Sequence, residues 1–211
     1  MYELFWSPGA ANFAPHAMLE EIGAPFELIR VDMKAGGHKT PEYLKLNPHG
    51  RVPTLIVDGA PMFEAAAICM LLAERHPEAR LAPAPGTRAR VLYLQWLTYL
   101  TNTLQERFMQ YFHPEAHVDD PACEAALEAG AEKRIGAMFD RIDAALAAEG
   151  PYLAGAEFSA ADLFLAMLVR YSRGLANPAW TRPHVKRCVD LVAARPAFQR
   201  MLTAEGLTFP Q

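Results

Sequence analysis

The side chains that could take part in chemistry form no disulfide or metal motif. Cys69, Cys123 and Cys188 are far apart, odd in number and contain no C-x-x-C pair, which argues against a disulfide framework and against a zinc site built on thiolates. His16 and Glu20 are four residues apart, but no third ligand stands in register with them. The sequence therefore predicts reduced thiols and no bound metal.

Composition excludes several classes of partner. The chain has 211 residues, of which 52% are hydrophobic and 21% charged, so it can bury a core and is not intrinsically disordered. Its 20 basic and 24 acidic side chains give a net charge of -4 with no basic stripe, which disfavours nucleic acid. The longest apolar run, Ala65–Ala73, is half of the roughly 20 residues that a membrane helix needs. Residues 1–3 lack the basic start of a signal peptide, so we expect a cytoplasmic protein with no membrane partner.

The first eighty residues alternate strand and helix patterns. Asp58-Gly59 suits a type I′ turn, so the strands on either side of it are expected to be antiparallel. The order β-α-β-α-β-β-α combines one parallel crossover with this hairpin, which predicts a thioredoxin-like α/β domain. The predicted strands are Glu3–Trp6, Phe26–Val31, Pro53–Val57 and Ala60–Glu64, and the helices are Pro15–Ile22, Pro41–Leu46 and Ala65–His76.

The rest of the chain shows helical patterns alone. Pro77, Pro83, Pro85 and Gly86 punctuate a segment with little periodicity, which is typical of a linker. We therefore predict a thioredoxin-like domain at 1–78, a linker at 79–86 and an all-α domain at 87–211. The predicted helices are Arg88–His113, one from Asp120 to about Ala148, one after the capping box Ser159-x-x-Asp162, and two near 184–194 and 196–202.

Four motifs, in this order and on this layout, resemble the cytosolic glutathione transferases over nearly the whole chain. The resemblance implies a homodimeric detoxification enzyme with glutathione as co-substrate. The opening segment is similar to the bacterial beta class, but Ala11 stands where that class carries its catalytic cysteine, so the reactive thiol must come with the ligand. The motifs are Ser7-Pro-Gly-Ala with Ala14-Pro-His16, Asn47-Pro-His-Gly-Arg-Val-Pro53-Thr-Leu, Phe63-Glu-Ala65, and Ser159-x-x-Asp162.

Thiol activation in such an enzyme needs a hydrogen-bond donor beside the first helix. Drawing a thiol pKa down by about two units takes about 2.7 kcal/mol, and one hydrogen bond to a charged group contributes about 1.5–3 kcal/mol. The resemblance places Asn12 in the region of the activating hydroxyl of serine-type relatives; its alternative role is an ordinary helix cap. Ser7 is a second candidate donor, with a plain turn residue as the alternative.

The resemblance also implies how glutathione is held. The Val52-Pro53 bond is expected to be cis, with the main chain of Val52 pairing with the cysteinyl part of glutathione. Glu64 is expected to bind the γ-glutamyl ammonium, while main-chain N–H groups at Ala65 hold its carboxylate. Ala65 lacks the serine hydroxyl that relatives usually carry there, which weakens the site by about 1 kcal/mol.

Two further groups complete the predicted site. His38, Lys39 and Arg51 offer charge or donors to the glycine carboxylate, although Lys39 and Arg51 also suit solvated surface positions. The electrophile pocket is expected between the first loop and the long helix after the linker. Its candidate residues, which also suit a core stripe, are Phe13, Phe108, Met109 and Phe112.

The predicted function is transfer of the glutathione thiol to a soft hydrophobic electrophile. Two alternatives stay open at this point. One is glutathione-dependent reduction of disulfides or peroxides, and the other is a non-catalytic binding or interaction protein on the same fold, because a fold does not determine a function.

Overall fold

A computed structural model of the chain describes residues 1–209. These residues form two compact units. Unit 1 comprises Met1–Ala82 and Ala193–Phe209, and unit 2 comprises Pro83–Val192. The domain boundaries predicted from the sequence stay a prediction. In the structure, Ala193–Phe209 belong to the same compact unit as the strands.

Unit 1 contains a mixed sheet. The strands are β1 (Tyr2–Trp6), β2 (Phe26–Arg30), β3 (Thr54–Val57) and β4 (Ala60–Met62), and their order in the sheet is β2-β1-β3-β4. β1 is parallel to β2 and antiparallel to β3, which is antiparallel to β4. Asp58 and Gly59 have φ values of 52° and 80°, as a type I′ turn requires. The predicted thioredoxin-like arrangement is confirmed.

Nine α-helices lie within residues 1–209, and none of them is both long enough and apolar enough to cross a membrane. Local signals explain several ends. Gly23 ends the first helix in the left-handed conformation with φ of 70°, and Thr40 caps the second by accepting from the Tyr43 N–H over 3.3 Å. The helices are α1 (Phe13–Ile22), α2 (Pro41–Leu46), α3 (Ala65–Arg75), α4 (Arg88–Tyr99), α5 (Glu106–Phe112), α6 (Glu124–Glu149), α7 (Ala160–Tyr171), α8 (Pro183–Ala193) and α9 (Pro196–Glu205).

Helix α9 packs on α1 inside unit 1. The ring of Phe198 meets that of Phe13 edge to face at 5.5 Å. The guanidinium of Arg195 makes a bidentate pair with Glu21 at 2.6 and 2.7 Å. A bidentate pair adds orientation to the packing of aromatic rings. Helix α9 therefore holds α1 in place.

Unit 2 is built around α7. All residues of α7 except Arg170 are buried, which confirms the prediction of a helix that is apolar on most faces. The Asp162 carboxylate accepts from the Ser159 N–H at 2.8 Å, and the Ser159 side chain accepts from the Asp162 N–H, as the predicted capping box requires.

The long helix predicted at 88–113 is interrupted. A π-turn at Leu100–Gln105 joins α4 to α5, and α5 ends at Phe112. Apolar side chains recur at intervals of three and four residues on both sides of the turn. That spacing does not reveal a single extra residue in the middle, so the prediction missed the π-turn.

Candidate functional site

Strand register brings the three motif segments of unit 1 to one end of the sheet. Phe5, near the end of β1, is paired with Thr54, the first residue of β3. Met62, the last residue of β4, is paired with Leu55. The segments after β1, before β3 and after β4 therefore lie side by side, although up to fifty residues separate them along the chain. We call them the first loop (7–12), the Pro53 turn (50–53) and the Glu64 corner (63–65).

The Pro53 turn is held from within unit 1 by two side chains. The Arg51 carbonyl accepts from the Tyr43 hydroxyl at 2.7 Å and from the Asn47 amide at 2.8 Å. The Tyr43 oxygen also lies 2.9 Å from the Thr54 hydroxyl. Burial raises the pKa of Tyr43, so its hydroxyl stays protonated as a donor. This carbonyl therefore has a defined direction just before Val52.

The Val52-Pro53 bond is cis, as predicted. Val52 is 7% exposed and belongs to a small apolar cluster with Val31 and Tyr43, against which Ala10 of the first loop packs. Neither main-chain polar group of Val52 bonds to another residue among 1–209. The Pro53 turn and the first loop thus share a core, while the Val52 main chain keeps its hydrogen-bonding capacity.

Gly50 brings the predicted cationic residues to the same turn. Its φ is +58°, and a Cβ there would lie 2.9 Å from the His38 carbonyl and 3.2 Å from Lys39 Nζ. Only glycine permits that approach. His38 Nδ1 is buried without a hydrogen-bond partner in the described chain, and Lys39 and Arg51 are exposed. The structure therefore gathers His38, Lys39 and Arg51 around one turn.

Glu64 has an unusual backbone. Its φ of 74° and ψ of 103° lie outside the regions that a residue with a Cβ prefers, and it is exposed directly before α3. Its side chain makes no capping bond to the helix. Strained residues persist where the surrounding structure holds them, and they concentrate at ligand sites. Both the Glu64 carboxylate and the first N–H groups of α3 are therefore available to a ligand.

The first loop is tied to the end of α9 by one buried carboxylate. Glu205 accepts from the Gly9 N–H at 2.9 Å, from Asn12 Nδ2 at 2.8 Å and from His16 Nδ1 at 2.9 Å. Asn12 Oδ1 in turn accepts from the Ser7 N–H at 3.0 Å. Three donors compensate the cost of burying the carboxylate, and the loop cannot move without breaking them.

His16 orients this carboxylate from the inner side. An ionised carboxylate only accepts hydrogen bonds, so His16 Nδ1 carries a proton and donates it. His16 Nε2 and Trp6 Nε1 are both buried with no hydrogen-bond partner within residues 1–209, and the two rings are 6.3 Å apart. No three His, Cys, Asp or Glu side chains within that range form a group that could hold a metal.

The two candidate thiol donors occupy different environments. Asn12 is fully buried, and both polar atoms of its amide already have partners. It occupies the N-cap position of α1, as predicted, but its side chain makes no capping bond to the helix. Ser7 is partly buried, and its hydroxyl bonds to no other residue that the structure describes.

The four candidate pocket residues divide into two pairs. Phe13 is 1% exposed inside unit 1, where its ring meets Phe198. Phe108 is fully buried inside unit 2, with its ring 6.2 Å from that of Phe139. A fully buried ring offers no surface to a substrate, so these two belong to the cores. Met109 is partly buried, and Phe112 is 38% exposed.

The two buried thiols of the chain do not suit nucleophilic chemistry. Cys69 and Cys188 are buried, and burial raises the pKa of both thiols well above the ordinary range. Cys123 is exposed. A reactive cysteine needs an environment that lowers the thiol pKa and favours the thiolate, unlike the buried sites of Cys69 and Cys188.

Sequence reasoning missed the residues that hold the site from outside it. Tyr43 and Asn47 lie in or next to α2, and the Asn47-Pro48 motif was the one signal for them. Glu205 lies 193 residues from Asn12, and no local pattern marks it.

The fold and this site define a class: a thioredoxin-like sheet with a cis-proline turn, combined with a helical unit. Residues 2–74 match the model of the glutathione S-transferase N-terminal domain, and residues 115–200 match that of the C-terminal domain. The chain is 31% identical to the glutathione S-transferase GstA of Escherichia coli O157:H7, over 97% of this chain and 99% of that protein. It belongs to the glutathione S-transferase family.

Solved structures agree with this assignment. A glutathione transferase homologue from Sulfitobacter with bound glutathione has a TM-score of 0.91 at 24% identity, covering 99% of each chain, which supports the fold. A sphingomonad glutathione S-transferase complexed with glutathione has a TM-score of 0.84 at 32% identity, covering 98% of this chain and 100% of that one.

Proposed function

We propose that this protein binds reduced glutathione at the sheet end of unit 1 and directs its thiol at a soft hydrophobic electrophile. The observation that carries the proposal is the convergence of the first loop, the Pro53 turn and the Glu64 corner. These segments offer separate hydrogen-bonding groups to the sulfur, the peptide and the γ-glutamyl end of one extended tripeptide.

The γ-glutamyl end is assigned to the Glu64 corner. The Glu64 carboxylate pairs with the ligand's ammonium, and the N–H groups that open α3 at Ala65 receive its carboxylate. The strained backbone of Glu64 supports this role, because such residues concentrate at ligand sites and its side chain makes no capping bond to α3.

The rest of the peptide is assigned to the Pro53 turn. The Val52 N–H and C=O pair with the cysteinyl main chain, as an added strand would. The glycine carboxylate meets the cluster of His38, Lys39 and Arg51, in which the unpartnered His38 Nδ1 supports the assignment.

We assign stabilisation of the thiolate to the first loop, with Ser7 and Asn12 in different roles. The Ser7 hydroxyl donates to the sulfur, because it has no described partner to compete with. The amide of Asn12 holds the loop, since its Nδ2 donates to Glu205.

The thiolate absorbance of bound glutathione, measured against pH, tests these two roles. Ser7→Ala is expected to raise the bound thiol pKa by about one unit or more. Asn12→Ala is expected to lower the stability of the protein. An unchanged thiol pKa in Ser7→Ala would refute the role of Ser7, and an unchanged stability in Asn12→Ala would refute the role of Asn12.

The electrophile side is assigned to Met109 and Phe112, the two candidates that retain accessible surface. A flexible thioether and an aromatic ring suit soft, apolar electrophiles.

Calorimetric titration with reduced glutathione tests the proposal. Binding in the micromolar to millimolar range is expected. The absence of any heat of binding at millimolar glutathione would refute the proposed function. Parallel assays with an aryl halide and with a glutathionyl mixed disulfide then separate transfer from reduction. Turnover of the mixed disulfide alone would favour the reductase alternative, and binding without either turnover would favour a binding protein.

We also propose a cytoplasmic homodimer with a role in detoxification, from the family resemblance. Light scattering on the purified protein tests the dimer: a mass near twice the 23.3 kDa of the chain is expected.

A further inference from the structure

A cavity of about 300 Å³ lies in unit 1 at the end of the sheet opposite the Pro53 turn. Its walls come from the start of β1, the residues before β2, the β3–β4 turn and the end of α3. The 11 residues of α3 rise by about 16 Å between the Glu64 corner and this cavity. The cavity is therefore separate from the proposed glutathione site.

One side of the cavity is apolar. Met1, Ala24 and Pro25 line it, and Met1 is 85% exposed. An unbranched thioether adapts to the shape of whatever packs against it. Ligand sites combine apolar walls with a few polar groups, and their volumes begin at about 300 Å³. This side of the cavity therefore suits the apolar body of a small organic molecule.

The other side carries an arginine that is already bound to a carboxylate. Arg75 Nη2 donates to Asp58 Oδ2 at 2.5 Å. This hydrogen bond lowers the pKa of Asp58, as expected for a carboxylate that a guanidinium recognises. The two side chains are 37% and 74% exposed, and ion pairs in such positions contribute little to stability. A carboxylate from outside the chain can therefore replace that of Asp58 on Arg75.

Asp58 is placed so that it can leave. It lies in the β3–β4 turn with φ of 52°, and its carboxylate makes no second hydrogen bond within residues 1–209. Turning this side chain toward solvent breaks one hydrogen bond and no packing in the core. A ligand carboxylate on Arg75 forms that bond again, while the apolar body of the ligand buries additional surface.

The wall beside Arg75 is fixed by a chain of hydrogen bonds. The Tyr2 hydroxyl lies 2.9 Å from His76 Nε2, and His76 Nδ1 lies 3.2 Å from Glu78 Oε1. The rings of Tyr2 and His76 meet edge to face at 5.9 Å. A wall that is ordered before the ligand arrives lowers the entropic cost of binding.

We propose that this cavity is a second binding site, for a small monocarboxylate with an apolar body, in which Arg75 exchanges the carboxylate of Asp58 for that of the ligand. The apolar body of the ligand packs on Met1, Ala24 and Pro25. The site does not depend on the proposed function, because it shares no residue with the first loop, the Pro53 turn or the Glu64 corner.

Calorimetry with 3-phenylpropionate and 3-phenylpropanamide tests the proposal on the full-length protein. The two probes have nearly the same shape and differ in charge. The acid is expected to bind with a submillimolar Kd, and the amide about fivefold more weakly or worse. Saturating glutathione is expected to leave the affinity for the acid unchanged, because the two sites lie at opposite ends of α3.

Two variants are expected to move the affinity for the acid in opposite directions. Arg75→Gln removes the recognising cation, so it should weaken the acid about tenfold and leave the amide within about twofold. Asp58→Asn removes the competing carboxylate and keeps a residue that tolerates the left-handed conformation, so it should tighten the acid about threefold. Arg141→Gln is the matched control, an exposed position of α6 with no described partner, and should behave as the wild type.

Several outcomes would overturn the proposal. Equal affinity of the wild type for the acid and the amide does so, as does no binding of the acid at millimolar concentration, and neither measurement needs a variant. Competition between the acid and glutathione would place the probe in the proposed glutathione site instead. If Asp58→Asn weakens the acid as Arg75→Gln does, the ion pair shapes the cavity and no exchange takes place. Binding of the acid without binding of glutathione would refute the proposed function and support this inference.

Discussion

The Asn12 side chain donates from Nδ2 to the buried carboxylate of Glu205 over 2.8 Å, across 193 residues of sequence. This bond connects the loop that follows β1 to the end of the last helix within unit 1. Glu205 also accepts hydrogen bonds from the Gly9 N–H and from His16 Nδ1, so one carboxylate fixes the conformation of the proposed thiol-binding loop.

Glu205→Gln is expected to lower the free energy of unfolding by about 2–4 kcal/mol. A glutamine has one accepting oxygen for three donors, and its amide N–H groups face donors rather than acceptors. Denaturant unfolding at neutral pH measures the loss, and a raised KM for glutathione is expected with it. The matched control is Glu74→Gln, an exposed position of α3 without a described partner. Equal stability of the two variants would contradict a clamping role for Glu205.

Asn12→Asp is expected to destabilise the protein far more than Asn12→Ala does. The aspartate would place a second buried carboxylate at hydrogen-bond distance from Glu205, and two adjacent carboxylates cannot both ionise without a large cost. We expect a loss of about 3 kcal/mol or more at pH 7 and a smaller loss at pH 5, where the new pair takes up a proton. Urea unfolding of both variants at the two pH values measures this difference. Losses that are equal and independent of pH would argue against the direct contact.

Ala65→Ser is expected to tighten glutathione binding by about fivefold. The new hydroxyl adds one donor at the start of α3, worth about 1 kcal/mol, beside the proposed γ-glutamyl carboxylate. Calorimetry measures the change. Ala67→Ser, two positions further into the same helix, should leave the affinity unchanged. An equal response of the two variants would remove the Glu64 corner from the proposed site.

Stability should depend on pH through Asp162. Burial raises the pKa of this carboxyl to about 6, against the opposing effect of hydrogen bonds from Leu153, Ser159 and Cys188. Because the folded pKa exceeds the unfolded value of about 3.9, the folded state holds the proton more tightly. The contribution of Asp162 to stability therefore falls as pH rises from about 4 to about 6, by roughly 3 kcal/mol in total.

Urea unfolding of the wild type and of Asp162→Asn between pH 4 and pH 8 checks this dependence. The asparagine cannot titrate, so its curve should lack the fall in that window while lying lower at acid pH. Asp119→Asn, an exposed position without a described partner, should follow the wild type. Parallel curves for the wild type and Asp162→Asn would show that Asp162 does not titrate in this range.

Local patterns were sufficient for most of the fold. Asp58-Gly59, Thr40-Pro41, Gly23 and the Ser159 capping box act on their own neighbours, so a sequence reader can place them without knowing the tertiary structure. The cis Val52-Pro53 bond was expected from the family resemblance, and it is present. The π-turn escaped, because the apolar spacing around it is compatible with an unbroken helix.

The roles of individual site residues depended on distant contacts. An amide before a helix suits either a cap or a thiol donor, so the sequence offered both roles for Asn12. In the structure Asn12 Nδ2 donates to Glu205, whereas the Ser7 hydroxyl has no described partner. Phe13 was a candidate pocket residue by sequence, but in the structure its ring packs against Phe198. Helical periodicity identifies an apolar face but not what packs against it, and the type of a polar residue does not say which partner will satisfy its hydrogen bonds. Burial and hydrogen-bond partners arise when segments far apart in the chain meet, and they determine which of several suitable side chains remain available to a ligand.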